Sequence, residues 1–332
     1  MVTFDENKIL SNGEYIYKQR AEIERIADCV CEKGFENLLF TSSGGSLAMM
    51  QPFDYMISAM SGMEVCSQVA GDLLLTGNNR LTEKTLVFMA SKSGDTKETV
   101  EAARYVKERG AVIVSVLGVE DSPLGELSTY SVVFKNGRPQ ELVLLLLIGR
   151  ILYRKGFFDD YMQFADELGN LPAALVSVGK ASDLKAREYA LKYKDAPYQI
   201  WIGSGNLWGP VYSFAMCVLE ESLWMRTKSV SSPEFFHGTI ELMEKGVCVA
   251  LAMTEGPTRP LDERVKKFIL KYGEQVTVFD TADYQLPGIS DRFRWMLSPV
   301  VINAVLSRIS KNLEEMKAHS LEIRRYYRRV DY

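Results

Sequence analysis

Two short hydroxyl- and glycine-rich segments carry the residues best suited to chemistry. One is Ser42-Ser43-Gly44-Gly45-Ser46, directly after the apolar stretch Leu38-Leu39-Phe40. The other is Ser91-Lys92-Ser93-Gly94-Asp95-Thr96, after Leu86-Val87-Phe88-Met89-Ala90. Each precedes a stretch of helical character. The first turn of a helix offers free backbone N–H groups and a partial positive charge, so it suits an anion. Ser and Thr hydroxyls add neutral donors, and Lys92 adds a cation. This chemistry fits a phosphate monoester on a small molecule. The same residue types also serve as plain caps in a strand–helix turn. A second loop of the kind, one strand away, favours the anion. The chain has no Gly-x-x-x-x-Gly-Lys-Ser/Thr run, which argues against a nucleotide phosphate cradle.

Three further groups stand out. Glu220 and Glu221 lie in an apolar stretch with Phe214, Cys217, Val218, Leu219, Leu223 and Trp224. A carboxylate in such surroundings can exchange protons near neutral pH. The two point about a quarter-turn apart on a helix, and composition does not choose between them. His237, in Pro233-Glu234-Phe235-Phe236-His237-Gly238, is by default a hydrogen-bonded loop histidine. Gly203-Ser204-Gly205-Asn206-Leu207-Trp208-Gly209 looks like a dinucleotide fingerprint, but its third glycine falls one residue late, and Trp208 and Pro210 crowd the helix start. A tight turn is the better reading.

The elements that must position these residues follow from periodicity. An amphipathic helix is expected over about 14–34, then a strand at 38–40 and a helix through about Ser61. Strand 86–90 leads into the second loop, where Asp95 and Glu98 have capping-box spacing and Gly110 ends the helix. Strands at 112–117 and 132–134 and an apolar helix over about 139–155 complete the first half. Such alternation implies a parallel, doubly wound sheet with helices on both faces. The pattern then recurs: Gln199–Ile202 precedes the glycine turn, whose helix runs to about Met225. Val247–Met253 precedes Thr254-Glu255-Gly256-Pro257-Thr258, and a charged helix leads to strand Val276–Phe279. Gly94 matches Gly256 and Val112 matches Val276, so two copies of one α/β unit are expected. The link at roughly 156–195 reads as helical. Glu255 stands in the second copy where the first has Lys92, and an acidic residue there repels a phosphate. One phosphate pocket is therefore expected, in the N-terminal half.

Composition sets the outer bounds. The chain has 332 residues, 47% of them apolar, which suits two domains with substantial cores. A net charge of −4 gives no global pull toward nucleic acid or anionic membrane. The basic run from Arg324 to Arg329 is local and reads as a solvated tail or a subunit contact. The five cysteines form no Cys-x-x-Cys pair and read as free thiols of a reducing compartment. Two histidines cannot build a His-rich metal site. The N-terminus lacks signal-peptide order, and the longest apolar run, Leu142 to Gly149, is too short to span a bilayer. The expected location is the cytoplasm.

Loops of the Ser-Gly-Gly-Ser and Ser-x-Ser-Gly-x-Thr type, one strand apart in a duplicated α/β unit, resemble tandem SIS (sugar isomerase) domains, which bind phosphosugars. The stretch Leu219-Glu220-Glu221-Ser222 through Glu234-Phe235-Phe236-His237-Gly238 resembles the catalytic stretch of the isomerase half of glucosamine-6-phosphate synthase. The interval between its glutamate and histidine selects Glu221 over Glu220. The Glu-Phe-Phe-His-Gly form and the closing Arg324-Arg325-Tyr326 are similar to the fructosamine-6-phosphate deglycase branch.

The resemblance implies two flavodoxin-like, three-layer αβα domains in tandem. The first spans 1–155 with a leading helix, and the second 156–332 with a basic tail. Residue by residue, Ser46, Ser91, Ser93 and Thr96 match the phosphate-binding hydroxyls, with Ser43 beside them and Lys92 where the synthase has Gln. Val218 stands where the synthase has a ring-opening lysine, and Val2 where it has its N-terminal cysteine. Both departures argue against glucosamine-6-phosphate synthesis. The implied activity is cleavage of a 6-phosphorylated sugar–amine adduct through an enaminol, with Glu221 as base and His237 moving protons, without metal or redox cofactor. The family supplies His237 from a neighbouring subunit, which implies at least a homodimer. An aldose–ketose or aminotransferring isomerase, and a non-catalytic sugar-phosphate sensor, are the alternatives. His319 and the arginines after it are placed at the border of the pocket.

Overall fold

The apolar runs become the inner strands of two parallel sheets. The computed structural model describes residues 3–135 and 137–331; Val2 lies outside them. The chain divides into two compact units. One is built on Glu6–Ala173 with Gly288–Ser290, the other on Ala174–Pro287 with the segment from Asp291 onward.

In the first unit, β1 (Asn37–Ser42), β2 (Glu64–Val69), β3 (Thr85–Ser91), β4 (Val112–Leu117) and β5 (Tyr130–Val133) are parallel in the order β2-β1-β3-β4-β5. That is the doubly wound, flavodoxin-like order. All of β3 and β4 is buried, which explains why they read as continuous apolar runs rather than alternating ones. On one face Leu39, Val87, Met89 and Ile113 pack with Ala102, Ala103 and Val106 of helix Lys97–Glu108. Phe40 and Phe88 point to the other face and stack with centroids 5.0 Å apart. The apolar helix Glu141–Arg154 packs against helices Arg20–Lys33 and Gly44–Met60. The helix expected over 14–34 is two helices, Glu6–Tyr17 and Arg20–Lys33. They break at Gln19, whose amide donates to the carbonyls of Tyr15 and Val133 and ties the bend to β5.

The second unit repeats the scheme with four strands. β6 (Gln199–Gly203), β7 (Thr227–Ser231), β8 (Cys248–Met253) and β9 (Gln275–Asp280) are parallel in the order β7-β6-β8-β9. Ile200, Ile202, Val249 and Leu251 pack with Val265 and Ile269 of helix Arg259–Tyr272. Trp201 turns the opposite way, against Phe214 and Phe279. The helix expected to reach Met225 ends sooner. Helix Trp208–Ser213 passes into a π-helical stretch, Phe214–Glu220, and then a turn. The long helix Asp291–Met316 closes the core and leads into the C-terminal segment. Among the described residues, no helix is long and apolar enough to cross a membrane.

Candidate phosphate crevice and general base

The hydrogen-bond ladders of the first sheet run to different lengths. β1 pairs with β2 as far as Ser42 and Val69, and β3 pairs with β4 as far as Ser91 and Leu117. Between β1 and β3 the ladder ends earlier, at Phe40 and Phe88. The two strands therefore part at their carboxyl ends, where the strand order reverses. Ligands of open parallel sheets bind in this crevice. The Ser42 hydroxyl spans it, donating to the Ala90 carbonyl at 2.8 Å and accepting from the Ala90 amide at 2.9 Å.

The two hydroxyl-rich loops leave from either side of that bridge. Helices Gly44–Met60 and Lys97–Glu108 begin there, and their caps Ser43 and Thr96 make no side-chain capping bond. The first-turn N–H groups are thus left to an incoming anion. Ser91 is buried, Ser43, Ser46, Ser93 and Thr96 are half-buried, and Lys92 is exposed. The Ser91 hydroxyl accepts from the Gly94 amide at 2.9 Å and lies 3.4 Å from the Thr96 hydroxyl. Gly94 adopts φ +73°, and a Cβ there would come within 2.3 Å of Ser122 Oγ. The expected capping box does not form. Thr96 is the cap, and Asp95 instead accepts from the Ser93 hydroxyl at 2.5 Å.

The second sheet opens in the same way but fills its own crevice. The β6–β8 ladder ends at Ile202 and Leu251, while the outer ladders run on. Thr254 donates to Asn206 at 2.7 Å, and Ser204 donates to Thr258 at 2.9 Å. Asp262 accepts from Ser232 and from the Thr254 amide, and burial pushes its carboxyl above the usual range. Glu255 forms a two-pronged pair with Arg294 at 2.7 and 3.0 Å. Its donors are engaged, and its loop carries a carboxylate.

Glu221 follows the π-helical stretch, where each added residue per turn rotates the side chains that come after it. It is half-buried, and Arg324 Nε donates to its Oε1 at 2.7 Å. Glu220 is exposed and accepts from Thr227 at 2.5 Å. The apolar setting expected for Glu221 is therefore corrected: its carboxylate sits against a guanidinium. His237 is exposed, just after the short helix Ser232–Phe235, and its ring has no hydrogen-bond partner among the described residues. The hydrogen bond and ion pair of Glu221 go to Arg324 and not to His237. His319 packs edge-on against Trp224, with ring centroids 4.3 Å apart. Sequence reasoning gave Ser42 no role, and it set Arg324 at the border of the pocket without naming its partner. The partner of Ser42 is a backbone group, and that of Arg324 lies 103 residues away, so neither leaves a local signal. No group of His, Cys, Asp and Glu that could hold a metal occurs among the described residues.

The fold is that of a doubly wound α/β protein with two parallel sheets. Residues 35–145, within the first unit, match the family model described as the SIS domain. It is similar to the fructosamine deglycase FrlB of Bacillus subtilis, at 29% identity over 95% of this chain and 98% of that protein. It is also similar to the fructoselysine 6-phosphate deglycase of Escherichia coli, at 22% identity over 92% of this chain and 89% of that protein. A Bacillus subtilis structure assigned as a phosphosugar isomerase superposes with a TM-score of 0.88 at 27% identity, covering 95% of this chain and 99% of that one.

Proposed function

We propose that this chain is a deglycase of 6-phosphorylated fructosamines, releasing glucose 6-phosphate and a free amine such as lysine. The observation that carries the reading is the β1–β3 crevice, which gathers hydroxyls and two uncapped helix starts at one sheet edge. Likeness over nearly the full length of a fructosamine deglycase supports the choice of reaction. Ser46, Ser91, Ser93 and Thr96 hold the phosphate, with Ser43 and Lys92 at its margin. Holding the sugar in register this way is worth on the order of 7–11 kcal/mol when geometry is right.

In this reading Glu221 takes the proton from C1 of the ketoamine, and His237 protonates the C2 oxygen. The product is an enaminol with a C1–C2 double bond. Return of a proton to C2 gives the C1 imine. Water adds at C1, the carbon–nitrogen bond breaks, and the amine leaves with the aldehyde of glucose 6-phosphate behind. One carboxylate and one imidazole serve every proton transfer. The free, exposed His237 ring accords with a homodimer in which it enters a partner's pocket. The reading places the protein in the cytoplasm, where phosphorylated sugars are held.

The test is incubation with fructoselysine 6-phosphate and related adducts, coupled to detection of glucose 6-phosphate. Release with free amine in equal amount is the expected result. Interconversion of fructose 6-phosphate and glucose 6-phosphate without amine release would overturn it in favour of an isomerase.

A further inference from the structure

We propose that Arg324 is a positioning residue that presents the Glu221 carboxylate for proton transfer, and that the segment 319–325 is the clamp that delivers it. This rests on the reading of Glu221 as the base. The Arg324 guanidinium is held from both sides. Its Nη1 donates to the carbonyls of Leu321 at 2.6 Å and Ile323 at 2.9 Å, and its Nε donates to Glu221 Oε1 at 2.7 Å. Among the described residues, Glu221 has no other side-chain hydrogen bond. One carboxylate oxygen is therefore fixed and the other, Oε2, is left open as the proton acceptor.

Trp224, at the end of the turn that begins with Glu221, anchors the clamp. Arg325 lies 3.9 Å from its ring centroid, and the His319 ring lies edge-on at 4.3 Å. His319 Nε2 is buried without a hydrogen-bond partner, so this ring is placed there by packing alone. The root of the segment is fixed by Glu314, which accepts from the amides of His319 and Leu321 through its carbonyl and carboxylate. Trp224 holds φ +56°, a conformation that a bulky residue keeps only when its surroundings fix it. An ion pair as exposed as Arg324–Glu221, with side chains 21% and 30% accessible, contributes little to stability. Its consequence is orientation of the carboxylate.

The experiment compares Arg324→Ala, Arg324→Lys and Arg325→Ala. For each, kcat and KM on fructoselysine 6-phosphate are measured, and exchange of the substrate C1 hydrogen with deuterated water is followed by NMR. A base displaced by about 1 Å loses roughly 10²-fold, so Arg324→Ala should lower kcat and C1 exchange together by that order, with KM nearly unchanged. Arg324→Lys should retain part of the rate, and added guanidinium should restore part of it to Arg324→Ala but not to Arg325→Ala. Unchanged kcat and exchange, a raised kcat, or a rise in KM alone overturns the proposal. If the Ala variant does not fold, Arg324→Lys decides: a reduced C1 exchange supports the proposal and an unchanged one overturns it. If the unaltered protein releases no glucose 6-phosphate from any adduct, the deglycase reading fails on its own. The clamp is then judged by amide hydrogen exchange over 216–225, where faster exchange in Arg324→Ala supports it and unchanged exchange overturns it.

Discussion

Ser42 and Ala90 hold each other twice across the mouth of the β1–β3 ladder, through one hydroxyl that both donates and accepts. The bridge keeps the two loop-bearing strands at a fixed separation just beyond the point where their own hydrogen bonds stop. Ser42→Ala leaves the buried Ala90 amide and carbonyl without this partner, at a cost of about 1–3 kcal/mol for each unsatisfied group. The expected result is a lower melting temperature, together with weaker phosphosugar binding by calorimetry. Unchanged values for both would remove Ser42 from the account.

Ser93→Ala tests whether the second loop reads phosphate. Losing one hydrogen bond to a charged ligand costs about 1.5–3 kcal/mol, so KM for a 6-phosphorylated substrate should rise roughly tenfold or more. An unphosphorylated analogue should show no such change. Equal effects on both compounds would assign the hydroxyl to the turn alone, through Asp95.

Gly94→Ala strikes the same loop through its backbone. The added methyl meets Ser122 Oγ at 2.3 Å, in a conformation at φ +73° that side chains resist. Strain of this kind is worth about 1–3 kcal/mol. Denaturant titration should show a loss of that size and a rise in KM, whereas Gly62→Ala, at a site with open space, should change neither.

Glu221→Gln should lower turnover by about 10²–10⁴-fold, the range of a positioned general base, and leave substrate binding intact. His237→Asn should do likewise. Mixing the two inactive variants tests subunit sharing, because a mixed dimer with pooled sites carries one complete set. Recovery of activity on mixing is expected; its absence in a demonstrated mixed dimer would place both groups in one chain's site.

Acid stability of the first unit should depend on Asp28. Hydrogen bonds from the Arg150 guanidinium at 2.8 and 2.9 Å hold its carboxyl below the usual range, with Arg154 adding to the effect. A carboxyl lowered on folding stabilises above its unfolded value, about 3.9, and loses that contribution as pH falls through the folded value. Asp28→Asn should therefore be less stable near neutral pH, and the gap should close in acid. A gap independent of pH would assign the loss to packing.

The sequence by itself determined the repeated α/β units, the inner strands and the two hydroxyl-rich turns. Each of these is a local signal: β3 and β4 are buried end to end, so they are written as unbroken apolar runs, and glycine and serine mark the turns that follow. The edge strands β2 and β7 escaped because they are half-exposed and their residues, Glu64-Val65-Cys66-Ser67-Gln68-Val69 and Thr227-Lys228-Ser229-Val230-Ser231, carry no clear pattern. Lys92 against Glu255 already pointed to the first pair of loops, but only the tertiary structure decided what stands at each strand opening. Lys92 stands exposed at an opening bridged by Ser42, while Glu255 is bound to Arg294 beside an opening filled by Asn206 and Thr254. It also decided that Glu221 is met by Arg324 from the far end of the chain. Turn and strand propensities act among neighbours in sequence, whereas the separation of two strands and the meeting of two charges depend on how distant segments pack.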